Sequence, residues 1–272
     1  MFEPISLAGK LFRSYLRMQN HPSKIRIQNW IGESFFKKGI VVKDEHNIFF
    51  RLDANDWITR TMLLEGSYER QSVALAVEIM KEGEIFVDIG ANFGLFANQI
   101  SVHNPVVRVL AVEPNYQILP SLIGNLQLNK TDSRVNIVQA AVSSSDDLVT
   151  LAQPSENNLG STMVVNNTKG LLSVPCVRLE KLFNQFGLKK IDLIKIDIEG
   201  NEFEVFRDFD FGKFDIQNII LEFNHLSRIS LDELLNFFKS KGFAATSVNN
   251  LPLAADTAEI PENNIWFKKI RG

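Results

Sequence analysis

From residue 85 to the end of the chain, short apolar runs alternate with stretches of helical periodicity, and this alternation restricts the possible folds. The predicted strands are 85–87, 107–112, 135–139, 191–196, 218–223, 243–248 and 265–268. The predicted helices among them are 94–102, 118–128, 179–186, 203–206 and 231–239. Because RVLAVE and IDLIKID are nearly continuous apolar runs, both faces of their sheet are expected to be covered. The alternation predicts an α/β fold with a mostly parallel sheet and right-handed crossovers.

Two regions fall outside this alternation. Residues 1–66 predict two helices separated at His21-Pro22 and then a hairpin in IVVKDEHNIFFRLD, before a helix over 68–80. Residues 143–176 are polar, with β-like pieces only at 148–151 and 163–165. A stretch of that length is more often a functional insertion than an ordinary connection. We therefore expect a helical and hairpin extension over residues 1–66, followed by the main domain over residues 67–272.

Composition narrows the class of protein. The 272 residues are 45% hydrophobic and 22% charged, which is typical of a globular chain. A net charge of −3 gives no sign of nucleic-acid binding, and no apolar run approaches the ~20 residues of a membrane span. Cys176 is the single cysteine, so an intramolecular disulfide framework is excluded and a reducing, cytoplasmic location is expected.

The first 40 residues depart from this acidic average. Seven Lys and Arg residues stand against Glu3 and Glu33, which gives this segment a local charge of +5. The simpler interpretation is a solvated helix face. The alternative is a surface that meets a membrane, an anionic polymer or a partner protein, and the sequence leaves both open.

Carboxylates collect at the ends of the predicted strands. Asp88, Glu113 and Asp197 end the first, second and fourth strands, and Glu222 lies near the tip of the fifth, shortly before His225. In an open parallel sheet, ligands bind outside the carboxyl ends of the strands. Since an unpaired buried charge is costly, a binding site explains this convergence better than stability does.

The turn after the first strand, in IFVDIGANFGLFANQI, suits the close approach of a ligand. Gly90 and Gly94 allow a tight turn without a Cβ in the way, and Asn92 tolerates a left-handed conformation. Asp88 beside this turn suits a cationic amino acid group and would face a pyrophosphate unfavourably. Glu113 follows Gly94 by 19 residues, close to the ~20 expected for an acid that binds ribose hydroxyls. Adenosine joined to a cationic amino acid indicates S-adenosylmethionine.

The motifs VDIGANFGLFA, VLAVEPN, NLQLN, VQAAVSS and IDLIKIDIEGNEFEVF, in this order, resemble those of FkbM-family S-adenosylmethionine-dependent methyltransferases. The resemblance runs from about residue 66 to about residue 225. It implies a class I methyltransferase fold, with seven strands in the order 3-2-1-4-5-7-6, a reversed final strand and helices on both faces. It also implies methylation of hydroxyl groups, often on sugars or polyketide-like natural products.

The resemblance implies roles for individual residues as well. The predicted cofactor contacts are Asp88, Gly90, Asn92 and Gly94 for the methionine part, Glu113 for the ribose hydroxyls and Ala141 near the adenine. Trp57, Tyr68 and Glu69 precede the first strand and are expected to cover the cofactor.

An alcohol needs a base or a metal ion to become nucleophilic at neutral pH. The predicted catalytic candidates are Lys195, Asp197, Glu199, Glu222 and His225. By intrinsic pKa His225 is the best base, although its position is equally compatible with a surface histidine. Lys195 would orient Asp197 or the acceptor. Asp197, Glu199, Glu222 and His225 also offer the ligand types that Mg²⁺ or Mn²⁺ binds.

Two other functions stay open at this point. A nicotinamide-dependent oxidoreductase would share the fold class, but Asp88, and Asn92 in place of a middle glycine, argue against it. A non-catalytic cofactor-binding module could recruit a partner through the basic N-terminal residues. The leading prediction is an O-methyltransferase with a small-molecule or glycan acceptor that the sequence does not identify.

Overall fold

The computed structural model describes residues 1–152, 163–165, 172–254, 256–257 and 259–270. The helices are α1 (Leu7–Leu16), α2 (Lys24–Phe35), α3 (Trp57–Glu65), α4 (Arg70–Ile79), α5 (Leu95–His103), α6 (Leu119–Leu128), α7 (Leu179–Gln185), α8 (Glu202–Arg207) and α9 (Leu231–Ser240). The strands are β1 (Glu3–Pro4), β2 (Ile40–Lys43), β3 (Phe49–Leu52), β4 (Ile85–Ile89), β5 (Arg108–Val112), β6 (Val135–Val138), β7 (Ala141–Val142), β8 (Leu148–Ala152), β9 (Met163–Val165), β10 (Leu172–Val177), β11 (Lys190–Ile191), β12 (Leu193–Ile196), β13 (Asp215–Ile216), β14 (Asn218–Glu222), β15 (Phe243–Ser247) and β16 (Asn264–Lys269).

A seven-stranded sheet in the order β15-β16-β14-β12-β4-β5-β6 forms the centre of the molecule. Its strand pairs are parallel, except that β16 runs antiparallel to both β14 and β15. Numbered along the chain, this is the predicted order 3-2-1-4-5-7-6 with its reversed final strand. Neighbouring residues of β4 pack into separate hydrophobic clusters, Phe86 into one and Val87 into the other, because helices cover both faces.

The predicted elements of this sheet are confirmed, with shifts at their ends. Strand β4 runs to Ile89, so Asp88 lies inside the strand rather than at its last position. Helix α3 was not predicted, although its signals are in the sequence: the Asp56 side chain accepts hydrogen bonds from the Ile58 and Thr59 amides, and Gly66 ends the helix in a left-handed conformation.

The predicted insertion contains a small sheet in the order β7-β10-β8-β9. The β-like pieces predicted at 148–151 and 163–165 are confirmed, whereas β10 was not predicted. Val174 and Cys176 of β10 are buried in a cluster of their own with Ala141. The rest of the predicted insertion, residues 153–162 and 166–171, lies outside the described residues.

The N-terminal residues form a three-stranded antiparallel sheet, β1-β2-β3, that confirms the predicted hairpin, and α1 and α2 flank the predicted break at His21-Pro22. Phe50 of β3 meets Phe93 edge to face, with ring centroids 5.8 Å apart, inside a hydrophobic cluster that also holds Phe86. A domain boundary near residue 66 stays a prediction, since both parts contribute to one core. Within the described ranges, every helix is too short or too polar to cross a lipid bilayer.

Candidate functional site

A cavity of about 540 Å³ opens at the carboxyl ends of β4, β5, β12 and β14. That volume is in the range of small-ligand sites. Predicted site residues that line it are Asp88, Gly90, Asn92, Glu113, Ala141, Lys195, Asp197, Glu199 and Glu222, together with Trp57, Tyr68 and Glu69. Gly94 is not in the lining and lies at the N-cap of α5, behind the turn. The fold thus brings most of the predicted residues to one edge of the sheet.

The turn after β4 has left-handed backbone at Gly90, Asn92 and Gly94, with φ of 81°, 50° and 84°. A Cβ on Gly90 would lie 1.9 Å from the carbonyl oxygen of Asp197, at the end of the neighbouring strand. We predicted these glycines from the approach of a ligand. The structure adds a second reason, since the close packing of the β4 and β12 ends itself requires Gly90.

Asp88 is buried below the cavity floor, with 2% of its surface exposed. A hydrogen bond from the Ala97 backbone reaches this carboxylate, but its Oδ2 has no hydrogen-bond partner in the part of the chain that the structure describes. Burial raises the pKa of Asp88 to about 7, while Lys195 acts in the opposite direction. An orphaned buried carboxylate oxygen fits a cationic ligand group, as an amino acid ammonium would provide.

Glu113 is buried at the end of β5 and accepts two backbone hydrogen bonds. The Asn92 amide donates to Oε2 at 2.9 Å and the Asn115 amide donates to Oε1 at 2.8 Å. Burial raises the pKa of Glu113 to about 7, against the lowering effect of these two bonds. Glu113 therefore fixes the left-handed turn at Asn92 and still presents carboxylate oxygens along the cavity wall.

Lys195, with 2% of its side chain exposed, brings a positive charge to the other side of the cavity. Its Nζ lies 3.2 Å from Asp197 Oδ2, 3.8 Å from Glu69 Oε2 and 5.3 Å from the ring centre of Phe96. Burial opposes its charge, but Asp197 and Glu69 outweigh burial and raise the pKa of Lys195. Lys195 therefore stays an ammonium among carboxylates.

Glu222 and Asp197 form a hydrogen-bonded pair beside this lysine. Burial, and after it the charge of Asp197, raises the pKa of Glu222 far above its usual range. Glu222 Oε2 is buried without a hydrogen-bond partner among the residues described. Glu222 therefore favours its protonated form beside Asp197 and the Lys195 ammonium.

Several lining residues were not predicted. Glu262 caps the start of α4, where the Ser72 amide donates to its Oε2 at 2.8 Å. Asn264 Nδ2 donates to Glu69 Oε2 at 3.3 Å, and burial raises the pKa of Glu69 to about 7. Glu65 lines the rim. Glu262 and Asn264 lie nearly 200 residues after Glu69, and no local motif marks them.

His225 is exposed and, with Phe223 and Asn224, lines a second depression that adjoins the main cavity at Glu262 and Asn263; its role as the base stays a prediction. The backbone explains this position. The Phe223 amide donates to the Asn263 carbonyl, and the Leu226 amide donates to Asn224 Oδ1 at 2.8 Å, so the chain turns away after β14. This position matches the alternative interpretation of His225 as a surface histidine.

Carboxylate oxygens of Asp197, Glu202 and Glu222 lie within 4.8 Å of one another, a spacing open to a metal ion. The donor set nevertheless fits Mg²⁺ or Mn²⁺ poorly. Glu202 accepts hydrogen bonds from the Ile198 and Gly200 amides at 2.9 and 3.0 Å, and Asp197 already faces Lys195. His225 lies outside the cavity. We therefore assign the positive charge here to Lys195 and derive no step through a metal.

The lining as a whole is acidic. Among the described lining residues, Lys195 is the single Lys or Arg, and eight acidic residues line the same cavity. The acids are Glu65, Glu69, Asp88, Glu113, Asp197, Glu199, Glu222 and Glu262. A cavity with this balance favours a positively charged ligand and repels a phosphate-rich one.

The strand order and the acidic cavity at the carboxyl edge define the class of protein: the Rossmann-like fold of S-adenosylmethionine-dependent methyltransferases. Residues 88–244 match the family model described as methyltransferase FkbM domain. The chain belongs to the FkbM methyltransferase family, as its motifs predicted.

Several individual methyltransferases are similar to this chain. Methyltransferase sdnD of Sordaria araneosa is 28% identical over 191 residues, which cover 59% of this chain and 73% of that protein. Hexuronic acid methyltransferase AglP of Haloferax volcanii is 24% identical over 173 residues, 64% of this chain and 69% of that protein. The solved O-methyltransferase TomG of Streptomyces achromogenes, in complex with SAM, superposes with a TM-score of 0.49 at 9% identity, over 91% of this chain and 96% of that one.

Proposed function

We propose that this protein transfers a methyl group from S-adenosylmethionine to a hydroxyl group of a sugar, a glycan or another natural-product small molecule. The observation that carries the proposal is the placement of two different acidic groups in one cavity. Asp88 supplies a buried carboxylate with one oxygen that has no hydrogen-bond partner among the described residues, and the Asp197–Glu222 pair supplies a carboxylate held beside Lys195.

The first group suits the cofactor. Asp88 would hold the cationic methionine part, Glu113 would accept the ribose hydroxyls, and Ala141 would lie near the adenine. Gly90 and Asn92, both with left-handed backbone, line the cavity between these contacts, where a tight turn would let the backbone approach the cofactor. When bound, S-adenosylmethionine supplies a methyl carbon activated by the sulfonium beside it.

The second group suits a hydroxyl acceptor. Asp197 would accept the hydroxyl proton, because its carboxylate lines the cavity and is partly exposed there. Glu222, whose pKa is raised, hydrogen-bonds with Asp197, and the Lys195 ammonium orients Asp197. Tyr68 and Glu69, which line the same cavity, would cover the cofactor on one side.

The acidic lining also bears on the acceptor. The relative named as a hexuronic acid methyltransferase supports a sugar as acceptor. An acceptor with its own carboxylate would meet Glu69, Glu199 and Glu262 in this cavity, so we favour a neutral hydroxylated sugar over a uronic acid.

Isothermal titration with S-adenosylmethionine, S-adenosylhomocysteine and NAD tests the cofactor. Heat with the first two ligands and none with NAD supports the proposal, whereas heat with NAD alone would favour an oxidoreductase. Incubation of a panel of neutral glycosides with methyl-labelled cofactor, followed by mass spectrometry, tests the transfer. Cofactor binding without any labelled product from broad panels would favour a non-catalytic module.

A further inference from the structure

We propose that the N-terminal helices dock this protein onto the surface of an anionic membrane, with the mouth of the cavity beside the docking face. The docking face consists of the exposed apolar side chains of Leu7, Leu11, Ile25, Trp30, Phe35 and Trp57. Large apolar side chains gathered on a surface mark an interaction site when they are not scattered singly.

Helix α1 has apolar residues on both of its sides. Phe12 and Leu16 are buried in the core, as an amphipathic helix requires. Leu7 and Leu11, four residues apart on one face of the helix, are nevertheless exposed, Leu7 to 74%. Core packing does not explain this second apolar stripe.

Helix α2 also exposes large apolar side chains. Its buried positions are Lys24, Gln28 and Gly32, which are polar or small. Its apolar residues Ile25, Trp30 and Phe35 are exposed. The rings of Trp30 and Phe35 meet edge to face, with their centroids 5.8 Å apart. Ile31 packs against the core from the same helix, so α2 carries large apolar side chains on its exposed side as well as on its buried side.

Helix α3 joins this face to the cavity. Arg13 Nε donates to the Leu63 carbonyl at 2.8 Å, and Arg60 donates to Asn29 at 2.7 Å, so α3 is tied to both α1 and α2. Trp57 at the start of α3 lines the cavity and is 57% exposed. Exposed apolar side chains therefore occur on all three helices, and Trp57 also belongs to the cavity lining.

The charge on this part of the surface fits an anionic partner. Residues 1–40 carry +5, and because the whole chain carries −3, the remaining residues carry −8. Lys10, Arg26, Lys37 and Lys38 are exposed on or beside the two helices. Basic residues interleaved with Trp, Phe and Leu are typical of helices that lie in the interface of anionic lipids.

Other occupants fit less well. A second copy of this chain, packed through the same face, would bring two surfaces of +5 against each other. The phosphates of a nucleic acid would bind the basic residues, but they would not bury the apolar side chains of Leu7, Leu11 and Ile25. An anionic bilayer satisfies both the charge and the apolar side chains.

Vesicle sedimentation with the full chain tests the proposal without cofactor or acceptor, so its result is independent of methyl transfer. We expect the protein to sediment with phosphatidylcholine–phosphatidylglycerol vesicles, far less with phosphatidylcholine alone, and less again as salt rises. The double variant Leu7→Ser/Leu11→Ser should weaken partitioning by about tenfold or more. Lys37→Gln/Lys38→Gln should weaken it by a smaller factor and flatten its dependence on salt.

Leu148→Ser is the matched control, because Leu148 is 73% exposed on β8, away from the docking face. Circular dichroism should show every variant folded, since all the substituted side chains are exposed. Vesicles should also shift the tryptophan fluorescence to the blue, and Trp30→Phe/Trp57→Phe, which leaves Trp266, should remove the shift. Absence of sedimentation at low salt would overturn the proposal, and so would equal loss in the Leu148→Ser control. Self-association or RNA binding that accounts for the same residues, without vesicle binding, would overturn it too.

Discussion

The two halves of the cavity hold their carboxyl groups in different ways. On the side of β4 and β5, Asp88 and Glu113 are held by backbone amides, and one oxygen of Asp88 is left without a partner among the described residues. On the side of β12 and β14, Asp197 is held by Lys195 and by Glu222. Lys195 contacts Asp197 directly, whereas it acts on Asp88 only through its charge, so an oxygen of Asp88 is left for a ligand group to bind.

This difference separates binding from chemistry. A buried carboxylate oxygen without a hydrogen-bond partner gains from a cationic ligand group, which supports the proposed cofactor role of the β4–β5 half. A carboxylate already paired with an ammonium gains little from a cationic ligand, and Asp197, which is partly exposed in the cavity, is the proposed proton acceptor. Substitutions in the two halves should therefore affect different measured quantities.

The largest effect is expected for Asp197→Asn. Loss of the base should lower kcat by roughly 10²–10⁴-fold while the cofactor Kd stays unchanged, because Asn keeps the shape of the side chain. His225→Ala is the comparison, and it should leave kcat unchanged since His225 lies outside the cavity. Normal turnover by Asp197→Asn, in single-turnover assays with labelled cofactor, would remove Asp197 from its proposed role.

Lys195→Met should be the most damaging for stability. It leaves Asp197 and Glu69 without their buried counter-charge, which typically costs about 3–5 kcal/mol of unfolding free energy. Urea denaturation at pH 8 measures this loss, with Lys239→Met on the exposed face of α9 as control. If Lys195→Met and Lys239→Met lowered the unfolding free energy by the same small amount, Lys195 would not be the counter-charge of Asp197 and Glu69.

Asp88→Asn should weaken cofactor binding by about a hundredfold, because a buried charge pair with the ligand is lost. The free protein should become more stable at pH 8, since the substitution removes an ionised carboxylate whose pKa burial has raised. Titration calorimetry and thermal unfolding measure the two effects. Asp44→Asn, another buried aspartate, should spare cofactor binding. Unchanged affinity in Asp88→Asn would place the cofactor elsewhere.

The smallest expected effect is the pH dependence of cofactor binding. Burial raises the pKa of Asp88 to about 7, and the ionised form is the one that binds a cation. Affinity for S-adenosylhomocysteine should therefore rise with pH up to about 7 and be constant above it. Below pH 7 the affinity should change by at most about tenfold per pH unit. Titration in buffers of different ionisation heat should show proton release near pH 7. Asp88→Asn should lose this release, and if it persists, another group is responsible.

Sequence patterns predicted that the residues of the β4–β5 half meet at one cavity, because that half is local. Asp88, Gly90 and Asn92 lie within one turn, and Glu113 follows at the end of the next strand, so spacing and glycine placement carry the information. The other half is assembled across the chain. Glu69 and Asn264 meet across 195 residues, and the turn that moves His225 out of the cavity depends on a contact with Asn263. Only the packed fold reveals such pairs.

Cocrystallisation with S-adenosylhomocysteine tests the central claim most directly. We predict the amino acid part of this ligand beside Asp88 and its ribose hydroxyls on Glu113, with the sulfur facing Asp197. A ligand bound anywhere else, or one whose sulfur lies away from Asp197, would contradict the division of the cavity into a cofactor half and an acceptor half.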